Sequence, residues 1–195
     1  MKNKAFKKRY FHTLKDFFLQ IKKSTYYRKK LKNIDEKNKI SPNFAEKIML
    51  AVTGVNECVY CSYRHAKSAL DKGVKLKEIQ EILKSEFGNI SEKEKVALLY
   101  AQHWTEKAGN PDINARKRMI EYYGEHKTEY IEFYMYMVYM GNIISNTVEA
   151  YKNNVIPDSG KLKFFFVYLF CAPIAFFIKM DAGMFLIKMI SIIRN

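Results

Sequence analysis

Apolar residues recur along this chain at steps of three and four, and no stretch alternates with the period of two that marks a strand. In residues 1–33, Phe6, Tyr10, Leu14, Phe17, Phe18 and Ile21 keep that spacing among lysines, which predicts an amphipathic helix. An Asn- and Lys-rich break leads to Ser41-Pro42, a helix start because proline suits the first helical position. The helix that follows, from about Asn43 to Val55, is apolar at Phe44, Ile48, Met49, Val52 and Val55 but carries Glu46 near its beginning. The simplest reading of that carboxylate is a solvated first-turn glutamate favoured by the helix dipole.

Asn56 is the expected N-cap of the next helix, which stops at Lys72-Gly73. Leu76 to Phe87 predicts a short amphipathic helix ending at Gly88, and Ser91-Glu92-Lys93-Glu94 is a capping box opening a helix to about Lys107. On that helix His103 falls at the edge of an apolar face formed by Val96, Leu99, Tyr100 and Trp104, as a core or interface histidine. A turn at Gly109-Asn110-Pro111-Asp112 precedes a helix from Ile113 to Tyr123 whose Arg116, Lys117 and Arg118 read as a solvated face. The segment from His126 to Asn153 is apolar almost all round between Phe133 and Met140, so it is central or lies at a subunit contact, with Asn142 and Asn146 bonding to neighbouring helices. From Phe164 to Ile178 no residue is charged. That is about 22 Å of helix, short of a bilayer core of about 30 Å. With Pro173 as a kink and a second apolar stretch from Met184 to Ile193, it reads as an interfacial or re-entrant hairpin, a tilted span, or a tail docked on another subunit.

With four prolines and eight glycines in 195 residues, composition agrees with an all-α protein of helices joined by short turns. The net charge of +14 suggests a nucleic-acid partner only until it is located. Residues 1–40 carry 14 Lys/Arg against 3 Asp/Glu, residues 41–159 carry 15 against 16, and residues 160–195 carry 5 against 1. The basic charge belongs to the ends; the apolar face of the N-terminal helix is read as lying on the protein's own core first and on an anionic membrane surface second, and nucleic acid is not among the expected partners. Three organisational parts follow: a basic amphipathic extension (1–40), a central domain (41–156) and a hydrophobic extension (157–195). Three cysteines do not make a secreted disulfide framework, and no apolar run of signal-peptide length opens the chain. The expected location is cytoplasmic, with the membrane periphery as its variant.

The candidate chemistry lies between Glu57 and His65, in Cys58-Val59-Tyr60-Cys61-Ser62-Tyr63-Arg64-His65. On a helix, steps of three and then four put Cys58, Cys61 and His65 on one face. The helix dipole favours Cys58 as the low-pKa sulfur, because it lies nearer the helix start. Reach favours Cys61, since the imidazole of His65 leans back over one turn and hardly over two. These two arguments leave the choice of nucleophile open.

Glu46, eleven residues and then Cys58-x-x-Cys61-x-x-x-His65 resembles the redox motif of the AhpD-like alkylhydroperoxidases, in the carboxymuconolactone decarboxylase-like superfamily. The resemblance covers roughly residues 41–153. It implies an AhpD-like helical bundle that forms homo-oligomers, and a thiol chemistry that reduces hydroperoxides. By motif position it implies that Cys61 is the peroxidatic sulfur, that Cys58 resolves it into a redox-active disulfide, and that His65 and Glu46 form a proton relay. Tyr60 stands where some members have a histidine. A phenol passes a hydrogen bond but is a poor base near neutral pH, so Tyr60 supports the relay or belongs to the core. The partners implied are a hydroperoxide and an external dithiol attacking Cys58 as the exposed sulfur, with no metal or other cofactor. A zinc site is disfavoured because three of its four ligands would lie along one helix. A disulfide that switches binding without turnover is the alternative of a different class.

Overall fold

The computed structural model describes residues 6–30, 34–155 and 157–193, the side chains of Lys30 and of 178–193 excepted. Among these residues there are eight α-helices and one 3-10 turn, with no strand, so the all-α expectation holds. The helices are α1 (Leu14–Lys30), α2 (Pro42–Asn56), α3 (Val59–Asp71), α4 (Leu76–Leu83), α5 (Glu92–Glu106), α6 (Ile113–Tyr123), α7 (Glu125–Lys152) and α8 (Lys161–Ile193). They form two compact units, one of residues 19–142 and one of residues up to Phe18 together with those from Ile143 on.

In the first of these units α2 is central, packing against α3, α4 and α5, while α5 packs against α6. Its start is the one predicted: Ser41 Oγ accepts from the Phe44 N–H and Pro42 occupies the first helical position. Ile48, Leu50, Ala51 and Val52 are essentially fully buried, so the helix needs other helices on several sides. Gly54 permits the closest approach, because a Cβ there would lie 2.6 Å from the backbone oxygen of Leu83 at the end of α4. Lys47 is buried between Glu78 of α4 (2.6 Å) and Glu94 of α5 (2.8 Å), an ion triad that fixes three helices beside the candidate site. On α7, Asn142 meets Thr53 of α2 at 3.3–3.4 Å, the helix-to-helix bonding expected of it, and Asn146 is fully buried too.

Two expectations about charged faces need correction. Arg116 is not part of a solvated face: its guanidinium donates to the buried carboxylate of Glu132 (3.0 Å) and to Glu125 (3.1 Å), and Glu132 also accepts from the Tyr100 hydroxyl (2.7 Å). Burial of Glu132 required a cation that sequence spacing does not reveal. Ser91 does not accept the N–H of a capping box; its hydroxyl donates to the Glu94 carboxylate instead. His103 does sit at the edge of its helix face, with Nε2 3.1 Å from Asp112 Oδ2 at the start of α6.

The second unit corrects the ends of the chain. The N-terminal helix starts only at Leu14, because Thr13 and Asp16 form a reciprocal cap: Thr13 Oγ1 accepts from the Asp16 N–H and Asp16 Oδ2 accepts from the Thr13 N–H. The preceding chain is irregular, and Phe11, off the predicted stripe, is buried with its N–H on Thr147 Oγ1 (3.0 Å). Of the three readings of the apolar end, the hairpin does not hold: it is a single helix, α8, with Pro173 inside it. Cys171 is fully buried on α8, and burial pushes its thiol up to about 12, as befits a small apolar residue. Among the described residues no helix is long and apolar enough to cross a membrane.

Candidate active site

The site is built where α2 ends and α3 begins. α2 runs through Asn56, and Glu57 then adopts a left-handed conformation (φ 52°) that turns the chain into α3. Asn56 is therefore the buried last residue of α2 and not the cap of the next helix. The cap is Cys58 itself, whose Sγ accepts from the Cys61 N–H at 3.3 Å. Both cysteines lie at the positive end of α3, as the dipole argument requires, and they are joined as a disulfide with Cα atoms 5.3 Å apart. Both are buried, Cys58 at 1% and Cys61 at 4% exposure. The expectation of an exposed Cys58 does not hold, because the residue that caps the helix also faces the core. Tyr60, second in α3, is half-buried.

One turn after Cys61, His65 directs Nδ1 to Glu46 Oε2 at 2.9 Å. Glu46 is not the solvated first-turn glutamate of the simplest reading. It is buried on the second turn of α2, and Ser68 Oγ (2.6 Å) and Lys72 Nζ both donate to its other oxygen. Burial pushes the carboxyl up, but the hydrogen bonds from His65, Lys72 and Ser68 and the charge of His65 outweigh it and hold it at about 2. Glu46 is thus ionised throughout the physiological range. An ionised carboxylate only accepts, so Nδ1 of His65 donates this bond and Nε2 is the ring nitrogen that Glu46 does not engage.

Ser68 and Lys72 are absent from the sequence-derived site, although a signal for them exists. Positions 58, 61, 65, 68 and 72 advance by three, four, three and four, so the stripe of the motif continues for two more residues on the same face. The stripe is read as far as the histidine only because chemistry, not register, guided where to stop.

Residues 25–102 match the model of the carboxymuconolactone decarboxylase family. The match covers less than half of the chain. It spans the end of α1, all of α2 to α4 and most of α5, and contains Glu46, Cys58, Cys61, His65, Ser68 and Lys72. The family contains AhpD-like proteins and includes both decarboxylases and alkylhydroperoxidases, so the similarity fits an enzyme and does not choose the reaction. No curated protein and no solved structure matches the chain. Within the matched segment, the feature to be explained is a disulfide-joined cysteine pair at a helix start, with the ionised Glu46 bonded to His65 one turn along.

Proposed function

We propose that the protein is a thiol-dependent peroxidase that reduces alkyl hydroperoxides through a Cys58/Cys61 dithiol–disulfide cycle. The observation that carries this reading is the 2.9 Å bond from His65 to a carboxylate held at about 2, one helical turn from Cys61. Glu46 fixes the imidazole tautomer, and Nε2 accepts the proton of the Cys61 thiol. The Cys61 thiolate attacks the terminal oxygen of the hydroperoxide. The S–O bond forms, the O–O bond breaks, and the departing alkoxide takes the proton from His65, leaving an alcohol and a Cys61 sulfenic acid. The Cys58 thiol then attacks the Cys61 sulfur, forming the disulfide and releasing water. An external dithiol restores both thiols by exchange, ending as a disulfide itself. With Cys58 buried, the dithiol attacks Cys61 and Cys58 leaves, since the helix start stabilises its thiolate; this replaces the expected attack on an exposed Cys58.

The carboxymuconolactone decarboxylase family match, the CxxC spacing and this hydrogen-bond chain support the reading. The burial of both sulfurs favours the second one, a disulfide that switches binding or assembly with little turnover. Steady-state consumption of an organic hydroperoxide with a small dithiol as reductant separates them. Many turnovers per chain, lost in Cys61→Ser, support the peroxidase. A single equivalent consumed without recycling supports the switch.

A further inference from the structure

Helix α8 is apolar on two opposite faces, and only one of them is covered. Phe164, Val167, Cys171 and Ala175, at steps of three and four, are at most 2% exposed and form the buried stripe. Leu162, Phe165, Phe166, Leu169, Phe170, Phe176 and Phe177 form the other stripe and are 36–71% exposed. Taking aromatic side chains at about 200 Å² each, this stripe presents roughly 700 Å² of apolar surface, more than a soluble monomer ordinarily leaves contiguous. Phe18 of α1, half-exposed, extends it, with its ring 5.6 Å from that of Phe170.

The surroundings of the stripe say what covers it. This unit carries twelve Lys/Arg against four Asp/Glu in sequence, and Lys161 and Lys163 are exposed at the start of α8 itself. Lys15 is exposed one turn before Phe18 on α1. Beside the stripe lies a hollow of about 520 Å³ whose lining includes Val148, Lys152, Tyr168, Leu169, Pro173 and Phe176. Lys152 has no ion-pair partner among the described residues. An apolar hollow with a free cation suits one acyl chain and its phosphate. A second protein copy brings the same positive charge and would be repelled.

We propose that the exposed stripe of α8, from Leu162 to Phe177, docks the protein in the plane of an anionic phospholipid bilayer, phenylalanines in the acyl boundary and lysines at the phosphates. This assignment is independent of the thiol chemistry. Its test is flotation of the full-length chain with vesicles of phosphatidylglycerol and phosphatidylcholine, against vesicles of phosphatidylcholine alone. We expect co-flotation with the anionic vesicles at about 0.1 M salt, weaker by roughly tenfold on neutral vesicles or at high salt. Replacing Phe166, Phe176 and Phe177 together by serine should reduce bound protein by at least roughly tenfold while the helical circular dichroism is unchanged, since these side chains are already in water. No flotation with anionic vesicles, or equal flotation of the triple variant, overturns the proposal. So does a lipid-free dimer that the triple variant converts to monomer, because the stripe is then covered by a second copy.

Discussion

Glu46 is the residue on which the candidate site turns, because two donors from α3 and a third from the residue that follows it converge on its buried carboxylate. Its folded value of about 2 lies below the ordinary 4.5, so the native state binds fewer protons between these limits. The stabilisation is therefore complete above pH 4.5 and is lost as pH falls toward 2, amounting to about 3 kcal/mol at most. Denaturant unfolding of wild type and Glu46→Gln across that range should show a steeper loss with falling pH in the first than in the second; parallel curves would contradict the assignment. Lys72→Met removes one of the donors, so the carboxyl rises and the acid-sensitive window moves to higher pH, as the same titration would show. For catalysis, His65→Ala should lower peroxide reduction by on the order of 10²–10⁴, the usual worth of general acid–base assistance, and stopped-flow loss of thiols measures it.

At the scale of elements, the packing of α2 on α4 depends on the missing side chain of Gly54. Helix propensity predicts that Gly54→Ala stabilises by up to about 1 kcal/mol. Contact of a Cβ with the Leu83 backbone at 2.6 Å predicts the opposite, a loss of roughly 1–3 kcal/mol, and urea unfolding decides between them. Helix starts marked by a side chain were legible in the sequence: Ser41-Pro42 for α2, Ser91 for α5, Asp112 for α6. Helix ends were legible where glycine takes the left-handed turn, as at Gly73 and Gly124, and within a residue at the ends of α2, α5 and α7. At Glu57 and Ser85 non-glycine residues adopt positive φ, which no composition signal announces. For that reason the pattern predicts α4 as far as Phe87 although it stops at Leu83, and predicts Asn56 as the cap that Cys58 provides. The Cys58–Cys61–His65 stripe followed from helical register alone, whereas the meeting of Glu46 with His65 did not. It is a contact between two helices, which register within either one cannot show.

For the whole molecule, the charge count by segment separated a near-neutral middle from basic ends, and the carboxymuconolactone decarboxylase family match lies largely in the middle. The two-faced apolar pattern of α8 was legible as hydrophobicity, but which stripe faces the core depends on packing that the pattern leaves undecided. The central claim is that Cys58 and Cys61 react with a hydroperoxide as one dithiol unit, with Cys61 attacking. Its most direct test is the intact mass and free-thiol count of the reduced protein before and after one equivalent of an organic hydroperoxide, in wild type, Cys58→Ser and Cys61→Ser. We predict rapid loss of two thiols with a mass decrease of two hydrogens in wild type, a sulfenic acid at Cys61 in Cys58→Ser, and no rapid reaction in Cys61→Ser. Rapid oxidation that survives Cys61→Ser and is abolished by Cys58→Ser would contradict the assignment of the nucleophile, and wild-type thiols inert to the peroxide would contradict the peroxidase itself.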